Sequence, residues 1–100
     1  MKHRRHGWAR LSRTVEMKAK VIAATRPDVV GLISDMMDFH DRCGDAWHHQ
    51  PDAEVGTIRA AHRLGLIRVA LPDKRTPRHR VRFCDGKEAW AIVQSLCNRA

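Results

Sequence analysis

The apolar residues of this chain change period at Gly65. Before it they recur at three and four, the spacing of one helix face. After it the runs Leu66–Leu71 and Arg78–Phe83 read as strands. Helices must therefore come first and a small sheet after them. The chain is expected to be α+β and mostly helical. Its 100 residues allow one small domain, residues 12–100, behind a flexible basic arm, residues 1–11, that shows no apolar period.

The elements follow from local signals. Ser12 or Thr14 caps a first helix whose face is Val15, Ala19, Ile22 and Ala23. Pro27 ends it and opens a second, because proline is poor inside a helix and good in its first turn. Val29, Val30, Ile33, Met36, Met37 and His40 form the second helix's stripe, with Leu32 and Phe39 widening it. Asp35, Asp38 and Asp41 take the other side, and Gly44 stops the helix. Asp52 is the expected N-cap of a third helix, with Val55, Ile58, Ala61 and Leu64 inward and Gly65 ending it. Pro72–Pro77 turns a β-hairpin, and Lys87–Leu96 is a last helix with Ala89, Trp90, Val93 and Leu96 inward. The expected core gathers Val30, Ile33, Met37, Ile58, Ala61, Leu64, Ile67, Val81 and Trp90.

Charge is segregated along the chain. Residues 1–13 carry +5, residues 27–57 carry −6 and residues 58–82 carry +7. Two basic blocks flank an acidic one, and clusters of that density are the footprint of a polyanion partner. The longest apolar runs are about four residues, so no membrane span is expected. The basic start is not followed by an apolar stretch, which argues against a cleaved secretory signal. Three cysteines at no framework spacing read as free thiols of a cytoplasmic protein.

The order of elements from Asp52 to Leu96 carries more. A helix bearing Ile58, Ala61 and Leu64 runs into Gly65-Leu66-Ile67, then a basic hairpin, then a helix. This resembles the recognition helix and wing of winged helix–turn–helix proteins, such as the MarR and ArsR classes of bacterial regulators. The resemblance implies a single winged-helix-like domain in which the first two helices support the recognition helix. Such motifs join their two helices by three or four residues. Here Gly44–Pro51 intervene, leaving three readings: a short helix at Asp45–His49, a variant motif, or Trp47 in the small first strand of the winged fold.

A helix fits the major groove, where arginine binds guanine O6 and N7 and threonine meets the thymine methyl. Thr57, Arg59, His62 and Arg63 are the expected readers of bases. Lys74, Arg75 and Arg78 at the hairpin tip, with Arg80, are expected to reach phosphates or a neighbouring minor groove. The expected partner is double-stranded DNA. The role would be that of a transcriptional regulator or a phage or replication accessory factor. If the chain forms a homodimer as those regulators do, it has residues 12–24 or the short terminal helix to do so.

Other chemistry is weakly signalled. His40, Cys43, His48 and His49 offer nitrogen and sulfur ligands, but in one cluster rather than two short spacers, so no metal is expected. No nucleophile–base set, phosphate loop or dinucleotide motif occurs, and the chain reads as a non-enzyme without a cofactor. RNA binding is an alternative use of the basic surface. It is disfavoured because the chain has no Tyr, two Phe and three Trp, of which Trp90 and Phe83 read as buried. A protein-interaction module, such as a small phage inhibitor of a host protein, is the other alternative, with the acidic block as its docking face.

Overall fold

The computed structural model describes residues 2–98, and their side chains from Arg13 onward. Its elements are α1 (Lys2–Thr25), α2 (Pro27–Cys43), α3 (Val55–Arg63), β1 (Ile67–Ala70), β2 (Arg80–Phe83) and α4 (Lys87–Leu96). The predicted four helices and one hairpin are all present, in one α+β, mostly helical domain.

Proline sets the first corner. Pro27 cannot donate the N–H that would carry α1 onward, so the chain breaks after a single residue, Arg26. The Arg26 guanidinium then grips the Asp28 carboxylate in two bonds of 3.0 and 2.7 Å over the first turn of α2. Along α2, Val29, Leu32, Ile33, Met36 and Met37 are buried, and Val30 sits half-buried at the margin. Helix α1 brings Val15, Ala19 and Ile22 to the same core, while α4 brings Ile92 and Val93. Lys18 and Glu88 pair across α1 and α4. Gly44, at φ +80°, ends α2 in a conformation that favours glycine.

Helix α1 is helical from Lys2, so it starts well before the predicted cap at Ser12 or Thr14. The predicted basic arm, residues 1–11, falls within this stretch, and its side chains lie outside the described residues.

Helix α3 departs from the prediction in its facing. Ile58 and Ala61 are buried as expected, but Val55 and Leu64 are 44% and 43% exposed. The reason is geometric. A step of three residues turns 300°, so a strict three-residue stripe drifts about 60° per step. Val55 and Leu64 thus stand on opposite flanks of the Ile58–Ala61 face. Thr57 is buried beside that face instead. Glu54, not Asp52, is the N-cap, and no side chain caps it. The exit is a Schellman turn: Gly65 N–H donates to His62 C=O at 3.0 Å and Leu66 N–H to Ala61 C=O at 3.1 Å, with Gly65 at φ +75°.

Strands β1 and β2 pair antiparallel with Ile67 opposite Phe83 and Val69 opposite Val81. Those four side chains face the core, while Arg68, Ala70, Arg80 and Arg82 share the other face. His48 exchanges both backbone hydrogen bonds with Val81, at 3.2 and 2.7 Å, on the side away from β1. Trp47 is thus next to a one-residue third strand. Among the described residues no helix lies between Gly44 and Glu54, so α3 has no preceding helix on a tight turn; α2 supports it directly. The loop of the hairpin runs from 71 to 79, longer than the predicted turn. Asp73 closes it by accepting the N–H groups of Arg75 (2.9 Å) and Thr76 (2.7 Å), while its own N–H donates to Thr76 C=O. Trp90, expected in the core, is half-buried at its edge.

Ile67→Ala is expected to destabilise the domain by about 2–5 kcal/mol, the cost of emptying a fully buried site. Leu64→Ala is expected to cost less than about 1 kcal/mol. Urea denaturation of both variants checks the contrast, which disappears if the three-residue stripe is the packed one.

Candidate nucleic-acid interface

Three of the predicted base-reading side chains are on the surface of α3. Arg59, His62 and Arg63 are exposed. Gly56, one turn before Arg59, is exposed too, and a Cβ there would meet nothing within 4 Å. It leaves a low strip beside the two arginines, a feature that sequence reasoning passed over because glycine reads there only as a weak helix former.

Thr57 is a correction. It is buried, and its hydroxyl donates to Asp28 Oδ2 at 2.8 Å. It joins α3 to the first turn of α2 and presents nothing to a ligand. Two donors, the Arg26 guanidinium first and the Thr57 hydroxyl second, hold the Asp28 carboxyl below its ordinary range.

At the hairpin loop Lys74, Arg75 and Arg78 are exposed, as expected. Asp73, the loop's one acid, is occupied by the loop's own N–H groups and lies 4.0 Å from Arg80. Arg80 is the second correction. It is half-buried, its Nε is buried without a hydrogen-bond partner, and its guanidinium leans toward Asp73. It belongs to the base of the loop rather than to its tip.

The remaining arginines of the basic block are paired. Arg82 stands directly opposite Arg68 in the ladder, an arrangement of like charges that is destabilising by itself. Arg82 is neutralised by Asp45 through bonds of 3.0 and 3.1 Å. That bidentate contact, with desolvation opposing it, holds the Asp45 carboxyl below its ordinary range and raises the Arg82 guanidinium. Arg68 lies 3.6 Å from Asp85 and 5.4 Å above the Trp47 ring. Among the described residues Arg59, Arg63, Lys74, Arg75 and Arg78 have no acidic partner.

The two ends of α3 differ in sign. Around its N-terminus Asp28, Asp35, Asp52 and Glu54 line a cavity of about 330 Å³. Its last turn holds His62 and Arg63, where cations also complement the negative end of the helix dipole. The C-terminal half of α3 is therefore its positive end.

The four residues weighed as metal ligands are not brought together. His40 packs against Phe83 and Trp90, His48 stacks on Phe39 at 3.7 Å, His49 is 3.3 Å from His79 C=O, and Cys43 is exposed. Among the described residues no group of three or more such side chains is placed to hold an ion. Nor is any described helix long and apolar enough to cross a membrane. Burial raises the Cys84 thiol above its ordinary value, with Arg68 opposing the shift. Compared with family models, with curated proteins and with solved structures, the chain matches none.

The Asp45 pairing gives an expectation for pH. A carboxyl whose pKa falls on folding stabilises the fold above its unfolded value of about 4 and loses that contribution as pH drops through the folded value. Asp45→Asn is therefore expected to be less stable than the parent at pH 6, with the gap narrowing by pH 3. Urea melts at the two pH values check it; a gap that widens in acid contradicts the pairing.

Proposed function

We propose that the chain is a non-enzymatic DNA-binding protein that meets duplex DNA with the C-terminal half of α3 and the loop of the hairpin. The observation that carries this reading is the division of the cations. Arg26, Arg68, Arg80 and Arg82 lie against carboxylates of the fold, whereas Arg59, Arg63, Lys74, Arg75 and Arg78 face solvent without an acidic partner among the described residues. Holding five unpaired positive charges on a small domain is unfavourable by itself, and phosphates relieve it with release of counterions.

The roles differ by position. Arg59 and Arg63, one turn apart, can enter the major groove together. The acidic cavity at the start of α3 keeps that end away from phosphates, so α3 docks by its last two turns. Lys74, Arg75 and Arg78, on a loop shaped by Asp73, take phosphates on either side. The resemblance to the winged helix–turn–helix regulators supports the same assignment through the order of α3, hairpin and α4. A regulator or an accessory factor of phage or replication type fits this surface, and the cytoplasm is where such a protein would act.

Binding to a random duplex and to a selected site across a salt series tests the reading. Arg59→Ala and Arg63→Ala are each expected to lose about 1–3 kcal/mol of discrimination between the two duplexes. A Lys74/Arg75/Arg78 triple alanine variant is expected to reduce the slope of log K against log salt by about three units on every sequence. Thr57→Val is expected to change stability and leave affinity unaltered. No duplex affinity at low salt would sink the proposal and move the assignment to a protein partner docking on the acidic face of α2.

A further inference from the structure

Where β2 runs into α4, a cavity of about 230 Å³ lies apart from the interface described above; none of that interface's cations lines it. Three rings wall it. His40 and Trp90 are 5.2 Å apart between centroids, Phe83 and Trp90 5.5 Å, and His40 and Phe83 6.0 Å, with the planes inclined by 46–76°. Phe83 is buried, so the half-buried Trp90 and His40 supply the open ring surface.

The polar groups of the corner come in a complementary pair. Asp45 lines it but is spent on Arg82 through both oxygens. Asp85 is not: its side chain is 82% exposed, and its ion pair with Arg68 is 3.6 Å long. Arg68 also has a second seat over Trp47, so the Asp85 carboxylate can accept new donors. Next to it Gly86 opens α4 with no side-chain cap, which leaves the N–H groups of the first turn as donors. The formal charges of Asp45, Asp85, Arg68 and Arg82 cancel, so the corner selects neither a bare cation nor a bare anion. It suits a flat, neutral ring that carries donors beside an acceptor on one edge.

Guanine has that edge. Its N1–H and 2-amino group donate and its O6 accepts, while adenine turns an acceptor, N1, toward the carboxylate. We infer that this corner binds an unpaired guanine base, stacked against Trp90, with Asp85 accepting from N1–H and the 2-amino group and the start of α4 donating to O6. Unpaired bases are recognised by this combination of an aromatic platform and hydrogen bonds to the base edge. Lys87, exposed and without an acidic partner among the described residues, follows Gly86 and can take the attached phosphate. The base can come from a free nucleotide or from a single strand. The site is independent of the duplex-binding surface.

The test follows the Trp90 indole N–H by NMR in the full chain, assigned with Trp90→Phe, during titration with GMP, IMP and AMP. GMP is expected to shift the resonance saturably. IMP, which lacks the 2-amino group, is expected to bind about tenfold or more weakly, the loss of one hydrogen bond to a charged acceptor. AMP is expected to leave the resonance in place. Asp85→Asn, a change at an exposed side chain, is expected to weaken GMP by a similar factor and to erase its advantage over IMP. An oligothymidylate with one central guanine separates the sources: tighter binding than GMP assigns the site to single strands, equal binding to the nucleotide. Equal affinity for all three nucleotides, no shift with GMP, or GMP affinity unchanged in Asp85→Asn overturns the inference, whatever the duplex assay shows.

Discussion

Helix α2 is the element on which every other helix leans. Its apolar side is wide, with Val29, Leu32, Ile33, Met36 and Met37 buried, and α1, α3 and α4 each pack on it. A helix used so heavily on one side must put all its charge on the other. Asp35 and Asp38 therefore line an outer groove with Asp52, which Arg42 and His49 share. Asp35, Asp38 and Asp52 sit along the outer side of α2, while Arg59, Arg63, Lys74, Arg75 and Arg78 stand on α3 and the hairpin loop.

Ion pairing then distributes the arginines into two populations. Asp28, Asp45, Asp73 and Asp85 each serve a cation of the scaffold. None of these ion pairs is deeply buried, so each contributes modestly to stability. Their larger effect is selection: they remove Arg26, Arg68, Arg80 and Arg82 from the exposed charge and leave a smaller, defined set for a ligand. Net charge alone would count all of them equally.

Much of the fold was legible because periodicity and punctuation agree. Pro27 and Gly44 bound α2, Gly65 marks the change from helix to strand, and alternation marks β2. What was not legible is what depends on distant residues. Thr57 reads as an outward polar residue until Asp28, far away in sequence, is seen to accept its hydroxyl. Arg80 and Arg78 look alike in the sequence, and only the folded loop puts one against Asp73. Val55 and Leu64 differ for another reason: a three-residue repeat drifts off one helix face within a few steps. The strand pairing of His48 with Val81 shows in the sequence only as one of three readings of Gly44–Pro51, because a single bridged residue leaves no alternation to read. Equally silent was the ring corner, in which His40, Phe83 and Trp90 meet from three separate elements.

The hairpin loop separates shape from charge. Its course is set by two carboxylate contacts from Asp73 to the N–H groups of Arg75 and Thr76 and by a backbone bond back to Thr76. Those contacts use the main chain of Arg75, not its guanidinium, and make no use of the side chains of Lys74 and Arg78. Mutational drift at these three positions can therefore alter how strongly the loop attracts an anion without altering where it points. At Asp73 it cannot, because one substitution there removes the turn and unbalances its charge together. A loop built in this way gives a lineage one position that must stay and three that can be tuned.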